Sequence, residues 1–215
     1  LLLDENAWVR YTPDGENSET ATFTFRSWDQ TTGTASSGTT ARYADTTTNG
    51  TTTAYSTTTA SGSQAVTAVN DAPVVDLDGS AGGITYSSSF SAGGSAVTIA
   101  DSDGTVSDVD SGDQIESLSA TLTSRPDGDG AESLSLDATA TTAAAALTVT
   151  YTEATGVLSI TGAASASTYQ TILRGIQYDN SDAAANITTG NRTVNVVVND
   201  GDSNATTAAA TVSVV

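Results

Sequence analysis

The sequence predicts an all-β protein whose strands form an antiparallel sandwich. Residue types that favour strands and turns are abundant, with 40 threonines, 27 serines and 19 glycines in 215 residues. Lysine is absent and 19 of the 25 acidic residues are aspartate, so the residues that usually cover helix surfaces are scarce. Segments of alternating apolar and polar residues also recur along the chain, separated by turn residues.

The alternating segments define the predicted strands in order. Each one places its apolar side chains on a single face, as a half-buried strand requires. The sequence TEATG, between two of these segments, has the composition of a hairpin turn. We expect seven or more mostly antiparallel strands between Pro73 and Val215. The alternating segments are 20–28 before Pro73, and 116–124, 132–138, 147–151, 157–162, 192–200 and 208–215 after it.

One segment departs from this pattern. In STYQTILRGI the apolar residues Tyr169, Ile172, Leu173 and Ile176 follow the spacing i, i+3, i+4 and i+7. This spacing predicts one short helix, which we interpret as a structural crossing between the two sheets.

A domain boundary is predicted in the sequence VNDAP. Pro73 cannot donate a hydrogen bond to a strand ladder, so it suits the first position of a strand after a linker. We therefore expect two domains, 1–71 and 72–215. The middle of the first, 31–63, is nearly all Thr, Ser, Gly and Ala. This composition makes the first domain the poorer candidate for a complete domain and indicates a smaller, partial β unit.

Composition excludes several classes of function. A net charge of −19 argues against binding to nucleic acid or to an anionic membrane surface, because both need Lys and Arg. The chain has no long apolar run for direct insertion into a membrane. With no His, Cys or Lys, it lacks the residues for a Ser-His-Asp triad, a Cys nucleophile or a P-loop. We expect a protein that is not an enzyme.

Pairs of aspartates separated by one residue are the most prominent motif. Two such carboxylates in a loop can face one ion, and Ca²⁺ prefers six to eight oxygen ligands. Solvated Asp-Gly turns are the alternative interpretation, and we favour it for the pair in RPDGDG. The five pairs are Asp76 with Asp78, Asp101 with Asp103, Asp108 with Asp110, Asp127 with Asp129, and Asp200 with Asp202.

Four motifs together resemble a family. VNDAP, DVDSGD, TEATGVLSITG and VVVNDGDSN, the last before a final strand TVSVV, occur in this order between residues 69 and 215. In this order they resemble a cadherin-like domain, and more narrowly the tandem modules of giant calcium-dependent bacterial surface adhesins of the RTX, type I-secreted kind. The resemblance implies an Ig/cadherin-like β-sandwich. It also implies calcium ions at the junction with the preceding domain.

The resemblance implies ligands for these ions. They are Asn70 with Asp71, Asp108 with Asp110, and Asp200. Two departures from the family pattern concern the far end of the module. SFSAGG lacks the expected glutamate, and no Asp-Arg-Glu follows SITG. The first domain, with VRYTP and FRSWDQTTG, resembles the C-terminal half of another adhesin domain.

Aromatic residues cluster in the first domain. Trp28 lies beside Asp29 and Gln30, with Trp8 and Tyr11 earlier in the chain. Aromatic rings beside polar side chains suit sugar binding, so these three adjacent residues are candidates for a ligand site. The alternative is that the tryptophans and Tyr11 are core residues in a domain with few aliphatic ones.

These observations predict a non-enzymatic module of a bacterial surface protein, extracellular and stiffened by Ca²⁺ at its junctions. Its expected partners are neighbouring domains of the same chain or copies of itself, and possibly glycans. One alternative is a self-assembling surface-layer or filament subunit. Another is a carbohydrate-binding module carried by residues 1–70.

Overall fold

The computed structural model describes residues 1–15, 17–110, 112 and 114–215. The chain forms two compact units, Leu1–Val69 and Asn70–Val215. Asn70 and Asp71 thus lie in the second unit, whereas the sequence places them at the end of the first. No helix among the described residues has the length and apolar character needed to span a bilayer.

The first unit is built around a ribbon of two antiparallel strands, β1 (Glu19–Phe25) and β2 (Ala60–Val66). One face of the ribbon carries Phe23 and Phe25, whose rings stack with their centroids 5.9 Å apart. Phe23 also covers Gly62, where an added methyl group would overlap its ring. Each phenylalanine is nevertheless 48% exposed. The apolar face of the ribbon therefore stays largely open to solvent.

The second unit contains the remaining strands. A larger, mostly antiparallel sheet and a smaller antiparallel sheet supply most of the fold, and a short ribbon completes it. The strands are β3 (Val74–Asp76), β4 (Tyr86–Phe90), β5 (Val97–Thr98), β6 (Thr105–Ser107), β7 (Ile115–Leu122), β8 (Glu132–Leu136), β9 (Thr148–Thr152), β10 (Val157–Ala164), β11 (Ile176–Asn180), β12 (Gly190–Asn199) and β13 (Ala208–Val214). The larger sheet has the order β4-β13-β12-β7-β10-β9, the smaller has β5-β11-β8, and β3 pairs with β6. Among these pairs β4 and β13 run parallel.

The two sheets enclose one hydrophobic core. Phe90 on β4 meets Tyr178 on β11 edge to face, with ring centroids 5.3 Å apart, so this contact joins the larger sheet to the smaller. Inward-facing aliphatic residues such as Leu118, Val196 and Val212 are completely buried. The fold is thus the predicted all-β sandwich.

Two short helices, α1 (Ala138–Ala143) and α2 (Ala166–Arg174), lie between strands. Helix α2 is the predicted one: the Ser165 side chain caps its first turn, and Tyr169 lies on its buried face. The prediction of a single helix is wrong, because α1 also forms. The Asp137 side chain caps α1, and the high helix propensity of its alanines prevails over threonines that imitate a strand pattern.

A buried cluster of charged residues links the two sheets. Arg192 on β12 is 1% exposed. Its guanidinium donates to Glu132 Oε2 on β8 at 2.7 Å and to Asp127 Oδ2 at 3.0 Å. The hydroxyl of Tyr178 donates to the same oxygen of Glu132 at 2.8 Å. Each charge has a partner of opposite sign, which offsets the cost of removing it from water.

The sequence predicts that Asp127 lies in a solvated turn, and for Asp127 this prediction is wrong. Its side chain is 2% exposed and accepts hydrogen bonds from the Thr188 N–H at 2.9 Å and the Asn180 amide at 2.8 Å. Burial alone raises the pKa of Asp127, but these hydrogen bonds and the charge of Arg192 hold it below its usual value. Asp129 alone fits the expectation, because its side chain is exposed.

The ribbon of the first unit repeats a ribbon of the second. Strands β1 and β2 pair at seven consecutive positions, and so do β12 and β13. Three residues beyond the last pair, Trp28 and Asn199 each form one further bridge. Asp29 and Asp200 follow them directly. The two ribbons thus share length, direction and register over their paired positions.

The surroundings of the two ribbons differ. In the second unit β7 pairs with the edge of β12 and β4 with the edge of β13, and Val194 and Val196 are completely buried. Phe23 and Phe25 occupy the matching positions in the first unit and are half exposed. An isolated two-stranded ribbon is at best marginally stable in water. Over its described residues, the first unit thus supplies the ribbon of a sandwich without the strands that flank it in the second.

We predict that residues 1–69 alone are poorly ordered, whereas residues 70–215 fold independently. The reason is the uncovered ribbon in the first and the continuous core in the second. Amide proton dispersion in ¹H–¹⁵N NMR spectra of the two fragments measures this. A sharp, well-dispersed spectrum of residues 1–69 would show that the uncovered face needs no partner.

We also predict that Arg192→Met lowers the free energy of unfolding by about 3–5 kcal/mol, because it leaves Glu132 charged and buried without a cationic partner. Urea denaturation of the full chain measures the loss. Adding Glu132→Gln to this variant should recover part of it, since the unpaired charge is then removed. A loss below about 1 kcal/mol in the single variant would contradict the role of this cluster.

Candidate metal centre

Three chain segments converge at one end of the second unit. Asn70 and Asp71 precede β3, Asp108 and Asp110 follow β6, and Asp200 follows β12. Hydrogen bonds join the first segment to each of the other two. These five residues are called site A below. They are the ones whose convergence the sequence motifs predict.

Asn70 and Asp200 form one half of site A. The Asn70 side-chain amide donates to Asp200 Oδ2 at 3.0 Å and to Ser203 Oγ at 3.3 Å. The backbone N–H groups of Asp202 and Ser203 donate to Asp200 Oδ1 at 2.7 and 2.6 Å. Partial burial raises the pKa of Asp200, but these hydrogen bonds hold it below its usual value. Asp202, itself a predicted ligand, contributes its backbone N–H, and its side chain is exposed.

Asp71, Asp108 and Asp110 form the other half. The backbone N–H of Asp71 donates to Asp110 Oδ2 at 2.7 Å, and the backbone N–H of Asp110 donates to Asp108 Oδ1 at 3.0 Å. The remaining oxygens, Asp108 Oδ2 and Asp110 Oδ1, are buried and have no hydrogen-bond partner among the described residues. Buried carboxylate oxygens without a partner are costly. They mark a position that a cation would stabilise.

A second group, site B, lies at the opposite end of the ribbon formed by β3 and β6. It consists of Asp78, Asp101 and Asp103, each of which offers a carboxylate oxygen within 4.8 Å of the other two. Asp103 Oδ1 is buried and has no hydrogen-bond partner in the described part of the chain. Hydrogen bonds from Ser102 hold the pKa of Asp101 below its usual value. Site B is thus a compact group of carboxylates.

A close approach of two loops creates site B. A methyl group on Gly79 would overlap the backbone carbonyl oxygen of Asp103, so only glycine fits there. Asp76 accepts a hydrogen bond from the backbone N–H of Asp78 at 2.9 Å. Of the four predicted ligands in these loops, Asp76 therefore orients the loop, and the other three form the group.

In the described ranges, no arginine forms an ion pair with a carboxylate of site A or site B. Arg174 donates to the backbone oxygen of Gly104 at 2.7 Å. Among the described residues, the ion pairs are Arg125 with Asp129, Arg192 with Asp127 and Arg192 with Glu132. Calcium binds carboxylate and carbonyl oxygens, and both sites consist largely of such donors. The donor sets and the unpartnered buried oxygens therefore fit calcium.

Glu116 is a carboxylate that the motifs missed. Its Cγ lies 3.2 Å from the position of an added Cβ on Gly201, next to Asp200. The sequence carries a signal for it. An acidic residue at the start of the alternating segment that follows DVDSGD must lie near that loop, at the same end of the sandwich. Asp113, the last residue of that motif, lies outside the described residues.

The candidate residues of the first unit are partly brought together. Trp28 and Asp29 line one open cleft, whereas the side-chain amide of Gln30 donates to Glu5 Oε2 at 2.8 Å. Trp8 is 95% exposed and Tyr11 41%, so neither is a core residue of this unit.

Comparisons with known proteins show no family for this chain. No family model matches it, and no curated protein matches it. A solution structure of CaCohA2 from Clostridium acetobutylicum is similar at 16% sequence identity and a TM-score of 0.36, over 67% of this chain and 92% of that one.

Proposed function

We propose that the chain is a non-enzymatic, extracellular β-sandwich module of a bacterial surface protein, and that Ca²⁺ bound at site A stiffens the start of the second unit. The observation that carries this proposal is the pair of buried, unpartnered oxygens of Asp108 and Asp110. The other carboxylate oxygen of Asp110 accepts a hydrogen bond from the backbone N–H of the linker residue Asp71. Extracellular modules bind calcium with Kd values of about 10⁻⁴–10⁻³ M, which suits a site of this kind.

The proposed role of the ion is electrostatic. Two unit charges 4 Å apart repel by roughly 4 kcal/mol in a partly shielded site. Calcium would replace this repulsion between carboxylates by attraction. Asp108 and Asp110 would hold the ion, while Asn70 keeps Asp200 oriented toward the linker. The residues that follow Val69 would then be fixed to two loops of the sandwich, which restricts the chain at this point.

The first unit supports a role in assembly. Its ribbon exposes Phe23 and Phe25, the positions that are buried in the matching ribbon of the second unit. Neighbouring domains of the same chain or further copies of it are therefore the proposed partners. The same observation favours a self-assembling surface-layer or filament subunit as a second candidate function.

We predict that Asp108→Asn stabilises the protein in the absence of calcium and destabilises it, relative to the native protein, in its presence. Without calcium the variant should melt higher than the native protein, because one repelling charge is gone. With calcium at a hundred times Kd, the native protein should gain roughly 2.7 kcal/mol per occupied site and the variant much less. Thermal melts in EDTA and in CaCl₂ measure both effects.

The matched control is Glu153→Gln, which removes one negative charge from an exposed turn between β9 and β10. It should change neither melt by more than the error. An equal calcium-dependent shift in Asp108→Asn and the native protein would refute site A. Asp127→Ala is unsuitable as a control, because Asp127 belongs to the buried cluster around Arg192.

Site B gives a separate prediction. Gly79→Ala should abolish calcium-induced NMR shifts of the backbone amides of residues 101–104, because the added methyl group forces the two loops apart. Gly82→Ala, in the same loop but with open space around the added methyl group, should retain them. Shifts at residues 108–110 should persist in both variants. If calcium moves no amide at 101–104 in the native protein, site B does not bind it.

A further inference from the structure

The first unit contains an open cleft with a volume of about 350 Å³. Trp28 and Tyr55 line it, together with Asp29 and hydroxyl residues such as Thr51, Thr53 and Ser56. Its size falls at the lower end of the range for small-ligand sites. The lining thus combines aromatic rings, hydroxyl groups and one carboxylate.

The segment that forms this cleft is not needed for the strand ribbon. In the second unit, residues 200–203 suffice to connect the bridge at Asn199 to its partner Asn204. In the first unit, the much longer segment 29–54 connects the matching bridge of Trp28 and Tyr55. Long connections without strands or helices are uncommon in compact domains and often carry function. What this one adds to the ribbon is the cleft.

The segment is nevertheless held in place. The backbone N–H of Asp29 donates to the Ala54 carbonyl at 3.0 Å. The backbone N–H of Ser56 donates to the Ser27 carbonyl, also at 3.0 Å. Ala54 is buried, as is Leu2, which packs against this segment. Where the first unit is folded, these contacts therefore hold the cleft in one conformation, which reduces the ordering cost of binding.

Individual side chains of the lining are also oriented. Thr31 donates from its backbone N–H and its hydroxyl to Asp29 Oδ1, at 2.9 and 2.7 Å. These bonds hold the pKa of Asp29 below its usual value, so the carboxylate is an ionised acceptor at neutral pH. The indole N–H of Trp28 donates to the Thr32 carbonyl at 2.8 Å, which fixes the ring beside the carboxylate.

Two residues at the cleft have unusual backbone conformations. Thr51, in the lining, has φ of 50°, and Gln30, next to Asp29, has φ of 63°. A β-branched residue with positive φ is a genuine outlier. Such strain persists where the surroundings enforce it, and it concentrates at ligand sites.

We propose that this cleft binds a neutral sugar of the pyranose type. The apolar face of a pyranose ring suits an aromatic side chain, and its hydroxyl groups donate to a carboxylate and exchange hydrogen bonds with threonine and serine. Asp29 is the charged side chain of the lining. The neighbouring guanidinium of Arg26 is occupied by the carbonyls of Ser56 and Thr57, so the site favours neutral over acidic sugars. The proposal goes beyond calcium binding, which involves residues of the second unit.

The test is an NMR titration of the full chain with methyl β-D-glucopyranoside and methyl α-D-mannopyranoside, with methyl β-D-glucuronide as the acidic comparison. The chain has two tryptophans, so its two indole N–H signals report separately. We expect at least one neutral sugar to move the Trp28 signal with millimolar affinity, while the signal of exposed Trp8 stays fixed. The glucuronide should move neither.

The matched variants are Asp29→Asn and Asp45→Asn. Both aspartates accept a hydrogen bond at 2.9 Å from the backbone N–H two residues later, but Asp45 is not part of the lining. Asp29→Asn should weaken sugar binding at least tenfold, or about 1.4 kcal/mol. Asp45→Asn should leave it within twofold.

Three outcomes would overturn the proposal. They are no shift of the Trp28 signal with either neutral sugar at 100 mM or so, equal shifts of both indole signals, and unchanged affinity in Asp29→Asn. Repeating the titration in EDTA and in CaCl₂ separates this result from calcium binding. Failure of calcium to bind would leave the sugar titration unchanged.

Discussion

Positive charge is scarce in this protein, and the position of its few arginines determines how the carboxylates are accommodated. The second unit has three arginines. Arg192 is enclosed between the two sheets with Glu132 and Asp127, and Arg125 pairs with Asp129. Within the part of the chain that the structure describes, the carboxylates at the two ends of the β3–β6 ribbon form no ion pair with an arginine. Backbone hydrogen bonds orient several of them, and the proposed calcium ions would supply the opposite charge.

Each unit contains a two-stranded ribbon of the same register, but the surroundings of the two ribbons differ. In the second unit the ribbon is central, with a strand on each edge and an aliphatic face in the core. In the first unit the same register supports an aromatic face that remains half exposed. The connection beyond the corresponding bridge also differs between the units. In the second unit it is the short acidic loop of Asp200, and in the first it is a long segment that forms a cleft. A common scaffold thus carries two kinds of loop.

Much of the fold follows from the sequence, because period-two alternation fixes which face of a strand is buried. The same alternation could have identified Arg192, which falls in register with Val194 and Val196 and must therefore point inward. Helix α1 escaped prediction because its threonines imitate a strand. The burial of Asp127 escaped because it depends on a residue far along the chain. The convergence on Asp200 was predictable from motif order, whereas the contribution of Gly79 was not, since it depends on the approach of two loops.

The distribution of arginine also determines where trypsin-like proteases can cleave the chain. Enzymes that cut after lysine or arginine find no lysine in this chain. In the second unit Arg125 precedes Pro126, which blocks cleavage, Arg192 is buried, and Arg174 lies half buried in a helix. Arg10 and Arg42, in the first unit, are exposed. Trypsin-like digestion would therefore trim the first unit and spare the sandwich.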